Sequence, residues 1–516
     1  MDRILVFDIG TGGIHVSAIG PDGSLVSGRY EQLDYDRCCK TGFEELNPGT
    51  LLNNCLRIAS GVVASVLSEG DRIIAVSVTS QRHGAVFADE KGNELCAFPN
   101  VDPRASRQAR RIACTHNDLI FSKTMRCAEA FYPSMRLIWL RENDPELFGK
   151  VHTFHMLNDW LVFKLTGRAC IEWTNAAETL MFDVQKKSWS DELQELFGLK
   201  DLTLSELVPP GTIAGYLKDE LRSSLRLPES VPVVLSLSDT QSALLGAGTL
   251  DPGDITVVSG STTPVQQVLV HPIADQMRRV ITGPYVCNKW VLEANCRKTG
   301  IVHRSITNGL SSMIASFCQG ESVSTEVIDR FTLEMGLKYQ PVLGFFGPVV
   351  SNVSRTTANR LGIVFEGEEP DIFSAILPAF VENMAFSAIA NIELLEEVSG
   401  ANAGRIRFTG GSARNSYLRH VIMAASKGNR IFMTETAETT SNGAAVLAYH
   451  ALGHFNTLEE SAENVSARSA PLEVDLRDPD RRYYSEKYEK WLDTYQRLNS
   501  ENLAVRIQKN GGNQIE

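Results

Sequence analysis

The chain has 516 residues, which is too long for one hydrophobic core, because cores stop growing near roughly 250–300 residues. It carries 50 lysine and arginine residues against 62 aspartate and glutamate residues, a formal net charge of −12. This acidic balance argues against nucleic acid as the main partner, since such binding is driven by a cationic surface. A nucleotide stays compatible with it, because backbone N–H groups and a divalent ion can hold phosphates.

The ten cysteines are scattered and no C-x-x-C pair occurs, so no zinc or redox framework is visible. The first strand-like run, residues 4–7, follows the amino end directly, without a basic segment and an apolar stretch. No run of about 18 apolar residues is present. We therefore expect a cytoplasmic protein with no membrane partner.

The predicted elements begin with a hairpin: a strand over 4–7, a glycine-rich turn over 8–13, a strand over 15–19 and a third strand near 24–30. Two antiparallel strands flank this turn, which distinguishes it from a dinucleotide or P-loop fingerprint. The next elements are a helix over 48–68, strands over 73–78, 85–88 and 94–99, helices within 104–165, a strand-like stretch over 174–182, a buried strand over 231–237 and a helix over 243–248.

The strand–turn–strand pattern recurs after Asp251-Pro252-Gly253-Asp254, the best candidate domain boundary. Strands over 255–258 and 265–270 flank a second glycine and hydroxyl turn, which indicates a duplication at the level of the fold. The remaining elements are a helix over 372–398, a strand over 406–409, a turn at Gly410-Gly411-Ser412 and helices over 416–426 and 441–452. The amphipathic tail beyond Pro471, with its tyrosines and Trp491, is predicted to pack as a helix on the outside.

Phosphoryl transfer needs a cradle for the terminal phosphate, an aligned acceptor hydroxyl and a base. Two glycine turns with hydroxyl residues, residues 10–12 and 260–262, are suited to form the cradle, because glycine lets backbone N–H groups approach phosphate oxygens. The alternative for the first turn is a plain hairpin turn with an Asx motif. The turn at 410–412 suits an adenosine pocket, or is simply a tight strand–helix connection.

Asp239 lies between the buried run ending at Leu237 and a small-residue stretch, where a carboxylate is costly unless it is paired or functional. It is a candidate general base, or the N-cap of the following helix; the two roles are compatible. Polar side chains at 81–84 and 100–104 suit a polyhydroxylated ligand. The alternatives there are a structural pair of Arg104 with Asp102 and a structural histidine at 83.

In their order and spacing, these motifs resemble the FGGY family of carbohydrate kinases over roughly residues 3–455. The resemblance rests on Asp8-Ile9-Gly10-Thr11, Gln81-Arg82-His83-Gly84, Asp102-Pro103-Arg104, Asn158-Asp159-Trp160, residues 179–189, Ser238-Asp239, Gly246-Ala247-Gly248, Gly260-Ser261-Thr262, Gly410-Gly411-Ser412 and Gly443-Ala444-Ala445. It implies an α/β fold of two ribonuclease H-like (actin-like ATPase) domains with a central cleft. The implied bounds are 1–250 for the sugar-binding domain, 251–455 for the ATP-binding domain and 456–516 for a helical tail.

The resemblance also implies ATP, Mg²⁺ and a role for each motif. Asp239 matches the catalytic base, and Asp8 and Asp239 match the metal site. The implied ATP-binding residues are Gly10, Thr11, Gly12, Gly260, Ser261, Thr262, Gly410, Gly411, Ser412 and Asn415, and the implied substrate residues are Arg82, His83, Gly84, Asp102 and Asp239. His15 stands where many members carry Lys or Arg, and a neutral imidazole would help phosphate less than a fixed cation.

The pattern at 81–84 is similar to xylulose kinases, which act on a ketopentose. The stretches 100–105 and 8–12 look closer to bacterial autoinducer kinases, which phosphorylate a furanone-derived pentane compound. We favour a pentulose such as xylulose. A non-enzymatic nucleotide-dependent switch and a sugar-binding regulator are the alternatives of another class. The sequence leaves the oligomeric state open, with a homodimer as one expectation.

Overall fold

The computed structural model describes residues 1–38, 41–227, 229–317, 323–339, 341–354, 362–365, 372–426 and 430–511. The chain divides into two units, each built from separate segments. Unit 1 comprises Met1–Pro252, Val268–Leu292 and Glu435–Arg468, and unit 2 comprises Gly253–Gln267, Glu293–Thr434 and Ser469–Glu516.

In the described part of the chain the strands are β1 (Asp2–Ile9), β2 (Gly13–Ile19), β3 (Leu25–Gln32), β4 (Asp36–Arg37), β5 (Glu44–Glu45), β6 (Arg72–Ser80), β7 (Ala85–Ala88), β8 (Glu94–Phe98), β9 (Thr153–Met156), β10 (Cys170–Glu172), β11 (Phe182–Asp183), β12 (Ser188–Trp189), β13 (Glu206–Val208), β14 (Ile213–Tyr216), β15 (Pro232–Leu235), β16 (Ile255–Val258), β17 (Thr262–Leu269), β18 (Ile281–Pro284), β19 (Trp290–Lys298), β20 (Val342–Phe345), β21 (Gly362–Phe365), β22 (Arg405–Thr409), β23 (Arg430–Thr434) and β24 (Ser469–Pro471).

The helices of the same described part are α1 (Pro48–Ser68), α2 (Ser106–Thr124), α3 (Pro133–Asn143), α4 (Pro145–Phe148), α5 (Leu157–Thr166), α6 (Trp173–Ala177), α7 (Asp191–Phe197), α8 (Asp219–Ser224), α9 (Asp239–Gly246), α10 (Gly300–Phe317), α11 (Thr325–Gly336), α12 (Ile372–Ser399), α13 (Ser416–Ala425), α14 (Thr439–Ala451), α15 (Leu458–Val465) and α16 (Asp478–Gly511). A 3₁₀ turn covers Gly411–Arg414.

The main sheet of unit 1 has the strand order β14-β15-β6-β1-β2-β3. The first hairpin is confirmed, since β1 pairs antiparallel with β2. β1 also runs parallel to β6, and β6 runs parallel to β15. The carboxyl ends of these three parallel strands therefore lie at one edge of the sheet, the edge where ligands bind in open α/β sheets.

Residues 4–7 of strand β1 are all apolar because both faces of the strand are covered. Leu5 and Phe7 belong to one buried cluster, together with the apolar face of α1. Ile4 and Val6 belong to a second buried cluster, together with apolar residues of α9 and α14. Buried parallel strands of this kind show continuous rather than alternating hydrophobicity, as the sequence of this run indicates.

Helices α9 and α14 of unit 1 approach each other closely at two glycines, Gly246 and Gly443. A Cβ at Gly246 would lie 1.8 Å from the carbonyl oxygen of Thr439, and one at Gly443 would lie 1.9 Å from that of Ser242. Tyr449 of α14 donates its hydroxyl to the carbonyl oxygen of Asp2 at 3.0 Å. These contacts explain why residues 435–468 join unit 1, whereas the bounds expected from the sequence assign most of them to the second domain.

The seven-stranded sheet has the order β18-β19-β17-β16-β22-β23-β24. Within unit 2, β16 pairs antiparallel with β17 and parallel with β22. This arrangement repeats that of β2, β1 and β6 in unit 1, as the recurring strand–turn–strand pattern predicts.

The carboxyl-terminal tail forms helix α16, which has one buried and one exposed side, as its amphipathic sequence predicts. Tyr484, Tyr488 and Trp491 are buried, and the Trp491 indole donates to the carbonyl oxygen of Gly344 at 3.1 Å. Residues 512–516 of the predicted tail lie outside the described residues. Arg481, Arg482 and Glu489 on the other side of the helix are exposed.

Two further predictions of secondary structure need correction. Strand β9 interrupts the helical region predicted within 104–165 and pairs antiparallel with β7. The stretch predicted as strand-like from residue 174 begins instead with helix α6, because the buried Glu172 carboxylate accepts from the backbone N–H groups of Thr174 at 2.7 Å and Asn175 at 2.8 Å.

Among the residues that the structure describes, two helices, Pro48–Ser68 and Ser374–Ser399, are long and apolar enough to cross a membrane by length and composition alone. Core helices meet the same criterion, and 94% of the apolar window of the second is buried within the chain.

Candidate active site

The first turn, residues 10–12, is held from behind by two tyrosines. Tyr35 donates its hydroxyl to the carbonyl oxygen of Thr11 at 2.6 Å, and Tyr30 donates to that of Gly12 at 2.7 Å. Burial raises the pKa of Tyr35 to about 12, so this hydroxyl remains a donor. Because a carbonyl oxygen and the next N–H group point in opposite directions along the backbone, these bonds fix the orientation of the turn's N–H groups.

Two amide side chains extend this support. Asn100 donates from Nδ2 to the Thr11 hydroxyl at 2.9 Å, which leaves the Thr11 O–H group available as a donor. The backbone N–H of Asn100 in turn donates to Gln81 Oε1 at 3.1 Å. The segments around 11, 81 and 100 are thus joined at the same sheet edge.

Asp8 lies at the carboxyl end of β1, and its Oδ1 has no hydrogen-bond partner among the described residues. Burial raises the pKa of Asp8 to about 7, and the negative charge of Asp239 adds to the shift, while His15 opposes it. His15 is paired through Nδ1 with Glu438 at 2.9 Å. Burial lowers the pKa of His15, but its hydrogen bond with Glu438 and the nearby carboxylate charges raise it above its ordinary value.

Asp239 is the first residue of α9, directly after the turn that follows β15. Ser238, not Asp239, occupies the N-cap position, so the capping alternative does not describe this residue. Its Oδ1 accepts from the backbone N–H of Thr240 at 2.7 Å and lies 3.9 Å from Nε of Arg82. The side chain is 29% exposed, which leaves the carboxylate accessible to a ligand.

Arg82 and His83 share a buried carboxylate, Glu178. His83 Nε2 lies 2.8 Å from Glu178 Oε2, and Arg82 Nη1 lies 3.8 Å from Glu178 Oε1. Arg126, itself fully buried, donates to Glu178 Oε1 at 2.7 Å and to the carbonyl oxygen of Thr282 at 3.1 Å. Burial alone would raise the pKa of Glu178, but Arg126 and His83 hold it well below its ordinary value. Sequence reasoning missed Glu178 and Arg126, although each is an ionisable residue within a short apolar stretch.

His83 has a left-handed backbone, with φ of 69°. The centroid of its ring lies 4.3 Å from the ring centroid of Phe131 and 5.0 Å from the ring centroid of Tyr132. Burial lowers the pKa of His83, so its ring is neutral near pH 7. The histidine is therefore fixed in orientation by a carboxylate and two aromatic rings.

Two of the predicted substrate residues are occupied by contacts inside the protein. A Cβ at Gly84 would lie 2.5 Å from Leu157, so close packing explains this glycine. Asp102 is fully buried, accepts from Arg104 Nε at 2.7 Å and accepts from the backbone N–H of Glu44 at 3.1 Å. The structure contains the Asp102–Arg104 pair that the sequence analysis gave as the structural alternative.

Unit 2 contains a cavity of about 700 Å³ that brings its two predicted nucleotide turns together. Gly260 from the second turn and Gly411, Ser412 and Asn415 from the turn after β22 all line it. The volume is typical of a small-molecule site. Asn415 caps α13 by accepting from the backbone N–H of Leu418 at 2.8 Å, so this helix begins at the cavity.

Close backbone approaches shape this cavity. Gly410 has φ of 92°, and a Cβ there would lie 2.6 Å from the carbonyl oxygen of Ser259. A Cβ at Gly300, the first residue of α10, would lie 2.2 Å from the carbonyl oxygen of Gly260. Of the second turn's other members, Thr262 begins β17 and Ser261 Oγ accepts from Arg304 at 3.0 Å. Sequence reasoning did not identify Gly300 or Arg304, since neither lies in the turns themselves.

The carboxylates of Asp8 and Asp239 fit a magnesium ion. Among the described residues, no group of three or more His, Cys, Asp and Glu side chains could hold a metal. Magnesium, however, is bound by one or two carboxylates together with substrate phosphates. A divalent ion would bind the Asp8 oxygen that has no partner among the described residues. It would also reduce the repulsion between the carboxylates of Asp8 and Asp239.

Three comparisons relate the chain to known proteins. Residues 3–246 match the model of the FGGY family of carbohydrate kinases, N-terminal domain. YoaC of Bacillus subtilis (strain 168), named as a sugar kinase, is 27% identical over 89% of this chain and 92% of its own length. An autoinducer-2 kinase of Yersinia enterocolitica is 26% identical over 90% of this chain and 89% of its own length.

Among solved structures, a xylulose kinase from Lactobacillus acidophilus superposes with a TM-score of 0.82 at 17% identity, covering 97% of this chain and 99% of that one. This likeness shows the fold: α/β, with two ribonuclease H-like domains of the actin-like ATPase type.

Proposed function

Because this chain belongs to the FGGY family of carbohydrate kinases, a family that uses ATP, we propose that it phosphorylates a hydroxyl of a small sugar with Asp239 as the general base. The observation that carries the proposal is the sheet edge of unit 1, where Asp239, Asp8, Arg82 and His83 meet. Family membership argues against the non-enzymatic switch, whereas a sugar-binding regulator of the same family would bind the sugar without transferring phosphate.

The acceptor side of the reaction belongs to unit 1. Arg82 and His83 bind substrate hydroxyls, and the carboxylate of Asp239 accepts the proton of the reacting hydroxyl. The oxygen of that hydroxyl forms a bond to the γ-phosphorus of ATP as the bond from this phosphorus to the bridging oxygen of ADP breaks. Asp102 does not contact the substrate directly, since its two oxygens accept hydrogen bonds from the Glu44 backbone and from Arg104.

The nucleotide side belongs to the cavity of unit 2. Gly411, Ser412 and Asn415 line the region suited to the adenosine moiety, and the backbone of the second turn is suited to phosphate oxygens. Arg304, which donates to Ser261, supplies a positive charge beside that turn. The N–H groups of the first turn provide the corresponding donors in unit 1.

Asp8 and Asp239 are the side chains that would hold Mg²⁺. When bound, this ion neutralises phosphate charge as it develops during transfer. His15, which is paired with Glu438, is the nearby side chain that opposes the rise of the Asp8 pKa.

The charges of the acceptor side favour a neutral, polyhydroxylated substrate. Arg82 and Arg126 are offset by Glu178 and Asp239, so no excess positive charge is left for an acidic sugar. A pentulose such as xylulose fits this requirement, and solved kinases of the same fold include xylulose kinases. A phosphorylatable autoinducer is the second candidate, favoured by relatives at 26% identity over 90% of the chain. A cytoplasmic location stays a prediction.

The base assignment is tested by Asp239→Asn in a coupled kinase assay with ATP and Mg²⁺ across pentuloses, hexuloses, polyols and the autoinducer precursor. Loss of a general base lowers kcat by about 10²–10⁴-fold. Asp219→Asn is the matched control, because Asp219 is also the first residue of a helix but is 93% exposed. An Asp239→Asn enzyme with the wild-type kcat would contradict the assignment, and a wild-type enzyme that turns over none of these substrates would contradict the proposed function.

A further inference from the structure

Glu178 is a fully buried carboxylate that contacts each of the two substrate residues of unit 1. It lies at the carboxyl end of α6, with side chains of Arg126, His83 and Arg82 around it. Its side chain is 0% exposed, whereas those of His83 and Arg82 are 14% and 11% exposed. A ligand can therefore reach the arginine and the histidine but not the carboxylate between them.

We propose that Glu178 is a positioning residue that sets the hydrogen-bonding direction of His83 and the orientation of Arg82 toward the sugar. The inference rests on the proposed function, because it assumes that these two side chains bind the acceptor. Glu178 itself acts only through them and does not contact the substrate.

The tautomer of His83 follows from its partner. An ionised carboxylate is an acceptor only, so the ring nitrogen that faces Glu178, Nε2, must carry a proton. With a neutral ring, Nδ1 is then the nitrogen without a proton, and it accepts a hydrogen bond from a substrate hydroxyl. Glu178 thereby makes His83 an acceptor, while Arg82 beside it is a donor.

Arg126 keeps Glu178 ionised in this buried position. It is the nearest cation to the carboxylate, and its other contacts are the backbone carbonyl oxygens of Thr124 at 2.9 Å and Thr282 at 3.1 Å. A carboxylate fixed by such a cation cannot turn away when the substrate leaves. The geometry of Arg82 and His83 is thus set before the sugar binds, which lowers the entropic cost of binding.

The experiment compares sugar and ATP kinetics of Glu178→Gln with those of the wild type. Glutamine keeps the shape of glutamate but removes its charge, and its amide can present either a donor or an acceptor to His83. Hydrogen bonds to a charged group are stronger than neutral ones, so we expect the KM for the sugar to rise by about tenfold or more. The KM for ATP should stay within about twofold of the wild-type value, because Glu178 does not line the nucleotide cavity.

Glu178→Gln leaves Arg126 with an uncompensated buried charge, which can prevent folding. The double variant Glu178→Gln/Arg126→Met removes both charges, and the same rise in sugar KM is expected from it. Asp183→Asn is the matched control, because Asp183 is also a buried carboxylate of unit 1 but accepts from the backbone N–H of Lys186 at 3.1 Å and is paired with Lys123 at 3.9 Å. Its sugar KM should equal that of the wild type.

A second readout needs no substrate and separates this inference from the proposed function. Two-bond ¹H–¹⁵N spectra of histidine-labelled protein report which ring nitrogen carries the proton, and His83→Gln identifies the His83 signal among the ten histidines. We expect an Nε2–H tautomer in the free wild-type enzyme and a changed signal in the folded glutamine variant. An Nδ1–H tautomer in the wild type, or an unchanged sugar KM in the folded variants, would overturn the role of Glu178. A wild type without kinase activity would instead refute the function alone.

Discussion

The crossing of α9 and α14 predicts that Gly443→Ala destabilises unit 1. The new Cβ would lie 1.9 Å from the carbonyl oxygen of Ser242, whereas ordinary contact begins at 3.4 Å, so the helices must separate by about 1.5 Å. The obstructing atom belongs to the backbone of a helix and cannot rotate away.

The size of the effect combines two opposing terms. Overpacking a buried contact costs about 1–3 kcal/mol, and a backbone obstacle places this site at the upper end. Alanine is favoured over glycine inside a helix by about 1 kcal/mol. We therefore expect Gly443→Ala to lower the free energy of unfolding by about 2 kcal/mol.

Gly61→Ala is the matched control within the same unit. Gly61 lies inside α1, and the three atoms nearest to a Cβ there belong to the guanidinium end of Arg29, a flexible side chain that can shift at little cost. Only the gain in helix propensity remains, so this variant should be about 1 kcal/mol more stable than the wild type.

The assay is urea unfolding followed by circular dichroism, with hydrogen exchange of the α14 amides as a local measure. The α14 amides of Gly443→Ala should exchange faster than those of the wild type, while those of Gly61→Ala should not. If Gly443→Ala were as stable as Gly61→Ala, the close approach of the two helices would not exist in solution.

Two further variants test the turns of each unit. Tyr35→Phe leaves the carbonyl oxygen of Thr11 without its donor, which costs about 1–3 kcal/mol, so we expect kcat/KM for ATP to fall about tenfold. Tyr216→Phe is the control, because Tyr216 is exposed, and its kcat/KM for ATP should equal that of the wild type. Gly300→Ala places a Cβ 2.2 Å from the carbonyl oxygen of Gly260 and should raise the KM for ATP about tenfold with the sugar KM unchanged. Gly309→Ala in the same helix, where nothing lies within 4 Å, serves as its control. Equal kinetics in either pair would refute the corresponding turn assignment.

Local patterns in the sequence were sufficient for much of the fold. The helix predicted over 48–68 has these bounds in α1, because its apolar stripe and the Asn47 cap are local signals. The run 231–237 contains a strand buried on both faces, as continuous hydrophobicity indicates. The hairpins at 4–19 and 255–270 follow from turn residues and strand periodicity in the same way.

The parts of the site that could not be predicted depend on segments far apart in the chain. Glu178 is recognisable only once Arg126 and His83 lie beside it, 52 and 95 residues away. Tyr35 supports Thr11 from 24 residues along the chain, and nothing in the motif at 8–12 specifies that partner. The tail helix follows from its charged, amphipathic sequence, but the partner of its buried Trp491, the carbonyl oxygen of Gly344, lies 147 residues away and has no local signal.

The segmented composition of unit 1 has a consequence for synthesis on the ribosome. The face of β1 that carries Ile4 and Val6 is completed by α14, which is made after most of unit 2. At about 5–20 residues per second, residue 435 is added roughly 10–40 s after residue 252. During that interval the nascent amino-terminal segment exposes an apolar surface, so its folding is completed late and a fragment ending at residue 252 should aggregate rather than fold.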